Sequence, residues 1–104
     1  MREFINTIKK LGGATIKNGQ LKNYKTGYQV AIESEEKQFT TLNKAIKYIE
    51  RNGLKNVGLW LDDGIWYMDT NSVRVSLKNK ALQQAKENQQ LAIWDWKNKR
   101  TVYA

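Results

Sequence analysis

An internal repeat constrains the fold of this chain more than any other feature of its sequence. Residues 41–46 (Thr-Leu-Asn-Lys-Ala-Ile) are echoed by residues 77–82 (Leu-Lys-Asn-Lys-Ala-Leu), and residues 57–60 (Val-Gly-Leu-Trp) by residues 91–94 (Leu-Ala-Ile-Trp). A two-residue deletion between the two matches accounts for their different offsets. Each copy is predicted to form a helix, a strand, a turn and a second strand. Chance similarity between short amphipathic segments is the alternative interpretation.

The helix of each copy has an apolar face and a start signal. Thr41 is the predicted N-cap of the first helix and Asn52-Gly53 its C-terminal stop, whereas Ser76 is the predicted N-cap of the second. The apolar positions recur at helical spacing in both copies. They are Leu42, Ala45, Ile46 and Ile49 in the first helix, and Leu77, Ala81, Leu82 and Ala85 in the second.

The strands of each copy are predicted to pair as a β-hairpin. The first hairpin, 57–61 with 65–68, turns at Asp63-Gly64, and the second, 91–96 with 101–103, turns at Asn98-Lys99. Two-residue turns place Trp60 opposite Tyr67 and Trp94 opposite Tyr103. The same aromatic cross-strand pair is therefore predicted twice.

A weaker third copy opens the chain and completes the predicted fold. Phe4, Ile8 and Leu11 are spaced for one helical face that ends at Gly12-Gly13, and residues 14–17 and 26–33 read as strands. The predicted architecture is one α+β domain over residues 1–104. It consists of helix–strand–strand units at 2–33, 41–69 and 76–103, with the helices on one face of a single antiparallel sheet.

Composition excludes several classes of chemistry. The chain has 104 residues with no Cys and no His, so disulfides, thiol nucleophiles, zinc–thiolate sites and imidazole bases are ruled out. Asp62-Asp63 resembles a carboxylate pair for a hard cation, but turn formation explains it better. We therefore expect no catalytic residue, no metal and no cofactor. The sequence has no long apolar run, so we expect a cytoplasmic protein with no membrane partner.

Charge is concentrated at the two ends of the chain. The formal net charge is +8, and it divides into +5 for residues 1–32, −2 for residues 33–71 and +5 for residues 72–104. This pattern favours a polyanionic partner, although a solvated surface that keeps a small protein soluble is the alternative. The candidate nucleic-acid-binding residues are Lys9, Lys10, Lys17, Lys22 and Lys25 near one end, and Lys97, Lys99 and Arg100 near the other.

Aromatic side chains supply a second candidate surface. Strand alternation puts the indoles of Trp60, Trp94 and Trp96 on the side opposite Leu59 and Ile93. With Tyr67 and Tyr103 they would form a stacking platform for bases or an anchor for a protein partner. The alternative is that these rings are core beneath the helices. A homodimer could also cover an open sheet face or an edge strand.

The chain resembles small proteins of phages and mobile elements of Gram-positive bacteria. The resemblance rests on Gly12-Gly13, on residues 25–30 (Lys-Thr-Gly-Tyr-Gln-Val), on residues 41–45 (Thr-Leu-Asn-Lys-Ala) and on residues 92–96 (Ala-Ile-Trp-Asp-Trp). Such proteins are often factors that bind host proteins, and some are anti-CRISPR or other anti-defence inhibitors. The resemblance implies inhibition by stoichiometric binding.

A more local similarity covers residues 28–50, which look like the arm-site DNA-binding domain of tyrosine integrases. In that family a three-stranded sheet enters the major groove and presents basic residues to it. This chain has Glu33, Glu35 and Glu36 where such contacts are expected. The departure moves the predicted nucleic-acid contact to the two basic ends.

Two functions follow as hypotheses. The first is a binder that inhibits or regulates a host protein or nucleoprotein, such as a CRISPR nuclease with its guide RNA, through aromatic anchors and a basic rim. The second is a basic regulatory protein that contacts the phosphates of DNA or RNA directly.

Overall fold

A computed structural model describes residues 2–104 and contains three α-helices and nine β-strands. The helices are α1 (Ile5–Leu11, preceded by a 3-10 turn at Arg2–Phe4), α2 (Leu42–Asn52) and α3 (Lys78–Glu87). The strands are β1 (Gly13–Lys17), β2 (Gln20–Lys22), β3 (Tyr28–Ala31), β4 (Glu36–Phe39), β5 (Asn56–Asp62), β6 (Ile65–Asp69), β7 (Ser72–Val75), β8 (Ala92–Asp95) and β9 (Arg100–Tyr103). Among these residues, no helix combines the length and the apolar character of a membrane span.

The strands form two antiparallel sheets, and the chain is one α+β domain as predicted. The first sheet has the order β2-β1-β5-β6-β4, and the second has the order β7-β3-β8-β9. The expectation of a single sheet is wrong. The chain leaves the first sheet after β2, and β3 then pairs with β7 and β8 instead of with β1.

A helix followed by a β-hairpin occurs three times along the chain, as α1-β1-β2, α2-β5-β6 and α3-β8-β9. The first two hairpins lie in the first sheet and the third lies in the second sheet. The predicted partner of β1 was the segment 26–33, but β1 turns instead at Asn18-Gly19 and pairs with β2. Both turn residues have positive φ, 52° and 78°, which is the backbone of a tight hairpin.

The larger core lies between α2 and the first sheet. As predicted, the Thr41 side chain caps α2 by accepting a hydrogen bond from the Lys44 amide at 3.2 Å. Gly53 ends the helix with φ of 58°. This core consists of Ile8, Ile16, Leu42, Ala45, Ile46, Ile49, Val57, Leu59, Trp66 and Met68. Leu11 was predicted on the apolar face of α1 but is 70% exposed, because α1 stops there and Gly12 turns the chain away.

The smaller core lies between α3 and the second sheet. It consists of Val30, Ala81, Ala85 and Ile93. Ser76 was the predicted N-cap of α3, but Leu77 occupies that position with an extended backbone. Leu77 therefore precedes the helix and is 54% exposed instead of joining the apolar stripe.

The two predicted hairpin registers have different outcomes. Trp60 lies opposite Tyr67 across the Asp63-Gly64 turn, as predicted. Trp94 lies opposite Thr101, and Tyr103 lies opposite Ala92, so the second aromatic pair is wrong. The connection has four residues, 96–99, instead of two. Asp95 holds this longer turn by accepting hydrogen bonds from the backbone amides of the two residues that follow Trp96.

Candidate functional site

The predicted aromatic residues are divided between the two sheets and do not share one face. Trp60 and Tyr67 lie on the helix-free face of the first sheet, which is the face opposite α2, because they alternate with the buried Leu59 and Met68. Their rings are stacked, with centroids 5.7 Å apart and planes 12° apart. Trp60 is 36% exposed.

The other three aromatic residues belong to the second sheet and differ in exposure. Trp94 is 38% exposed and Tyr103 is 77% exposed, on the helix-free face opposite α3. Trp96 is only 7% exposed. Its indole Nε1 donates to Gln29 Oε1 at 3.1 Å, and its backbone amide donates to the Gly27 carbonyl at 3.0 Å. Trp96 is therefore a packed structural ring, and the expectation that it lies open beside Trp60 and Trp94 is wrong.

An aromatic cluster surrounds Trp96. The ring of Tyr24 meets Trp96 edge to face with centroids 5.4 Å apart, and Trp94 meets it at 6.4 Å with planes 89° apart. The guanidinium carbon of Arg74 lies 5.2 Å from the centre of the Tyr24 ring, within the range of a cation–π contact. We call Tyr24, Arg74, Trp94 and Trp96 the aromatic–arginine cluster.

Arg74 is held by the loop between β2 and β3. Its Nε donates to the Thr26 carbonyl at 2.9 Å, its Nη2 to Thr26 Oγ1 at 3.2 Å and its Nη1 to Ser76 Oγ at 3.5 Å. Gly27 follows with φ of 89°, and a Cβ there would lie 2.8 Å from Arg74 Nε. Glycine at this position therefore allows the loop to close over the arginine.

A polar cleft of about 160 Å³ lies between the two sheets, next to this cluster. The first sheet lines it with Thr15, Lys17 and Asn56, and the second sheet lines it with Gln29, Ser72 and Arg74. The side chain of Gln29 donates to Ser72 Oγ at 3.0 Å and accepts from Trp96, so it connects the cleft to the cluster. Of the described residues that line the cleft, two are cationic and none is acidic. The electrostatics therefore favour an anion.

Several residues of the two predicted basic groups lie close to this cleft. Lys17 lines it, and Lys22 lies on the same face as Thr15, its cross-strand partner. Lys25 and Lys97 adjoin Tyr24 and Trp96 in the chain, and those two rings are in contact. The Tyr24–Trp96 contact thus joins the basic beginning of the chain to its basic end.

The remaining predicted basic residues lie farther from the cleft. Lys99 is exposed in the β8–β9 turn, and Arg100 is exposed at the start of β9. Lys9 and Lys10 are exposed in the last turn of α1, which leads into the opposite end of β1 from Lys17. A five-residue strand separates its ends by about 13 Å. The structure therefore brings Lys9 and Lys10 to a different part of the surface.

Arg74 is the functional candidate that the prediction did not include. The alternation of Val73, Arg74 and Val75 in a strand indicates that Arg74 faces away from the core, which is a signal present in the sequence. Nothing local indicates that it lies over Tyr24, 50 residues away in the chain.

The carboxylates do not form a metal site. Over residues 2–104, no group of three or more His, Cys, Asp or Glu side chains is placed to hold a metal ion. Asp95 is 4% exposed, and its two carboxylate oxygens accept hydrogen bonds from Lys97 N, Asn98 N and Asn98 Nδ2 at 2.8–3.2 Å. The Asn98 side chain makes the largest contribution to lowering the pKa of Asp95. Asp95 therefore acts as a turn anchor that positions Lys97.

Comparisons of this chain with models of protein families, with curated proteins and with solved structures give no match.

Proposed function

We propose that this chain is a non-enzymatic binding protein of the phage or mobile-element type, which associates with a host nucleoprotein and inhibits or regulates it. A CRISPR effector nuclease with its guide RNA is one example of such a target. The observation that carries the proposal is the Tyr24–Trp96 contact, because it unites the two basic ends around one aromatic–arginine cluster. Aromatic rings and arginine are the side chains that most often dominate binding energy at interfaces.

Exposed apolar side chains beside the cluster support a protein component of the partner. Leu91 is 83% exposed and Tyr103 is 77% exposed. They lie at the same end of the β8–β9 pair, where the Ala104 amide donates to the Leu91 carbonyl at 2.9 Å. Trp94 lies on the same face as Tyr103. Large apolar side chains grouped at a surface are typical of contact with another protein.

Direct binding of a nucleic acid alone is the second candidate. The cleft favours it, because Lys17 and Arg74 line that space and no acidic residue is among the described residues that line it. In this version Lys22, Lys25 and Lys97 contact phosphates on either side, and the exposed side chains of Leu91 and Tyr103 contribute nothing to affinity.

The two candidates are separated by capture from a host lysate. We expect a tagged chain to retain one nucleoprotein from a Gram-positive bacterium, and the purified target to lose activity at a one-to-one ratio. Trp94→Ala and Tyr103→Ala should each weaken capture about tenfold or more, the effect of removing an interface anchor. Leu11→Ala is the matched control, because Leu11 is also exposed but lies at the far end of the first sheet.

Two results would contradict the proposed function. One is the absence of any retained host target. The other is equal loss of capture in the Leu11→Ala control and in the Trp94→Ala and Tyr103→Ala variants. If nuclease treatment alone removed every retained protein and the Tyr103→Ala variant behaved as the parent chain does, the second candidate would replace the first.

A further inference from the structure

We propose that the cleft between the two sheets binds a phosphate of the backbone of single-stranded nucleic acid, with Lys17 and Arg74 as its cationic ligands. This inference deepens the proposed function and rests on it for biological context, because it specifies how the chain recognises the nucleic-acid part of its partner. The cleft has the chemistry of an anion site, because two cations and several neutral hydrogen-bonding groups surround one small space.

The neutral groups of the cleft have hydrogens to donate. Ser72 is 6% exposed, and its Oγ accepts a hydrogen bond from Gln29 Nε2, so its own hydroxyl hydrogen is available for an acceptor. Thr15 contributes a second hydroxyl and Asn56 an amide. A phosphate offers several acceptor oxygens, and hydrogen bonds from charged donors to such oxygens are stronger than those between neutral groups.

Arg74 is positioned before any ligand arrives. A guanidinium has five N–H donors, and three of them are used on Thr26 and Ser76. Two donors therefore remain on a group whose orientation is already set by the Tyr24 ring and the loop. Such preorganisation reduces the entropy that binding must otherwise lose.

The size of the cleft selects a single group instead of a whole ligand. A volume of about 160 Å³ is below the roughly 300 Å³ at which small-molecule sites begin. A phosphate fits such a space, whereas a complete nucleotide does not. The rest of the ligand must therefore lie along the protein surface outside the cleft, as the neighbouring nucleotides of a polymer chain would.

The surface beside the cleft favours a single strand over a duplex. Gln29 lines the cleft and lies directly opposite Trp94 on the next strand, at the ordinary strand spacing of about 5 Å. The partly exposed indole of Trp94 is therefore within reach of a base attached to the bound backbone. Bases of single strands stack on aromatic rings, but in a duplex those faces are already stacked on each other. Lys22 and Lys97 continue the positive charge on either side.

The test is fluorescence anisotropy with the purified chain and labelled oligonucleotides of about 12 nucleotides, a length within known single-strand site sizes. The probes are oligo-U RNA, oligo-dT DNA and a DNA duplex, titrated between about 50 and 200 mM salt. We expect both single strands to bind with similar affinity, because the backbone phosphate is common to them. We expect the duplex to bind about tenfold more weakly or worse, since it offers no free base to Trp94.

Matched variants locate the site. Lys17→Gln and Arg74→Gln should each raise Kd about tenfold, and Lys47→Gln, which removes the same charge from the exposed surface of α2, should change it less than about twofold. Arg74→Lys keeps the positive charge but loses the planar guanidinium with its paired N–H donors, and should have an intermediate Kd. Trp94→Ala should weaken binding about fivefold or more, with Trp94→Phe restoring most of it. Thermal unfolding of each variant shows which of them remain folded, and Lys17→Gln carries the test if Arg74→Gln unfolds.

Several outcomes would overturn the inference. The binding assay would do so if single strands did not bind at low salt, or if the duplex bound as tightly as they do. The variants would do so if Lys47→Gln and Lys17→Gln had equal effects on Kd. The competition assay would do so if inorganic phosphate displaced the oligonucleotide at an equal concentration of phosphate groups. The last result would assign the cleft to free phosphate. Because the assay contains no host protein, its failure leaves capture of a host target through Trp94 and Tyr103 untouched, and failure of that capture leaves this assay untouched.

Discussion

The pKa values of Asp69 and Asp95 are shifted in opposite directions by their different surroundings. Asp69 lies on the helix-free face of the first sheet, between Gly58 on β5 and Glu36 on β4. Burial, with a smaller contribution from the charge of Glu36, raises the pKa of Asp69 to about 6. Hydrogen bonds from Asn98 and Lys97 lower the pKa of Asp95 instead.

Replacing Asp69 should stabilise the protein in a pH-dependent manner. The unfolded carboxyl titrates near 3.8 and the folded one near 6, so the folded state loses stability as the pH rises through this interval. We expect Asp69→Asn to raise the free energy of unfolding by about 1–2 kcal/mol at pH 8. The full pKa difference corresponds to roughly 3 kcal/mol, and solvent screens part of it at this half-buried site.

Urea unfolding of both proteins near pH 4 and at pH 8 tests this expectation. The two curves should lie much closer together at the lower pH, because the native carboxyl is then protonated and the unfolded one, with a pKa near 3.8, is only partly ionised. Glu36→Gln is a useful comparison, since it removes the smaller cause of the shift and leaves the burial. A stability difference that is equal at both pH values would contradict the titration of Asp69.

Replacing Asp95 should have the opposite pH dependence. Because its folded pKa lies below the unfolded value, its contribution is present above the unfolded pKa and is lost as the pH falls through the folded pKa. We expect Asp95→Ala to lower the melting temperature at pH 7, and the difference from the parent chain to shrink in acid. Asp62→Ala in the exposed end of β5 is the control. An unchanged melting temperature at pH 7 would show that the turn does not need its anchor.

Single residues also mark the limit of what the sequence predicts. Thr41, Gly53 and Asp63-Gly64 have the predicted local roles, because a cap or a turn depends on residues within four positions of each other. The burial of Trp96 was the alternative interpretation of the aromatic residues, and no local signal selected it. It depends on a hydrogen bond to Gln29, which is 67 positions away.

At the scale of elements, the two related hairpins differ through their connections. The Asp63-Gly64 turn has two residues with φ of 49° and 77°, and it keeps Trp60 opposite Tyr67. The β8–β9 connection has four residues and closes on Lys99 with φ of 52°. Two extra residues shift the register, so that Trp94 faces Thr101 and Tyr103 faces Ala92. The repeated sequence therefore produces the same order of elements but different cross-strand pairs.

A double-mutant cycle measures the aromatic pair that did form. Trp60→Ala, Tyr67→Ala and the double variant should give a coupling energy of about 0.5–1.5 kcal/mol, the range for stacked rings in contact. The measurement is the free energy of unfolding in urea. The same cycle on Trp94 and Tyr103 is the internal control and should give a smaller coupling, since these residues are diagonal neighbours and not direct cross-strand partners.

The cycle has two outcomes that would contradict the assigned registers. Coupling near zero for Trp60 and Tyr67 would show that the stack contributes no interaction energy. A coupling for Trp94 and Tyr103 as large as that for Trp60 and Tyr67 would support the two-residue turn at Asn98-Lys99.

At the scale of the whole molecule, two cores of unequal size share one chain. The core beneath α2 contains ten buried residues, among them Ile16, Leu42, Trp66 and Met68. The core beneath α3 contains four, and Ala81 and Ala85 are two of them. Since buried apolar area is the main source of stability, the packing of α3 on the second sheet contributes less free energy than the packing of α2 on the first.

Native-state hydrogen exchange should reveal this inequality. We expect the amides of α3 to exchange through an opening of lower free energy than the amides of α2, because fewer apolar contacts break when α3 separates from its sheet. Ala85→Gly should lower the protection of α3 and leave that of α2 unchanged, whereas Ala45→Gly should do the reverse. Identical opening free energies for both helices would show that the two layers unfold as one cooperative unit.

The sequence by itself determined the α+β class, the apolar face of α2, the burial of Ala81 and Ala85 in α3, the caps of α2 and the first hairpin with its aromatic pair. All of these depend on neighbouring residues or on one tight turn. Only the tertiary structure decided that the strands divide into two sheets, that Trp96 is buried and hydrogen-bonded to Gln29, and that Arg74 lies over Tyr24 beside a cationic cleft. These features depend on pairings between residues 27 to 67 positions apart, and no local pattern specifies which distant strand a given strand will meet.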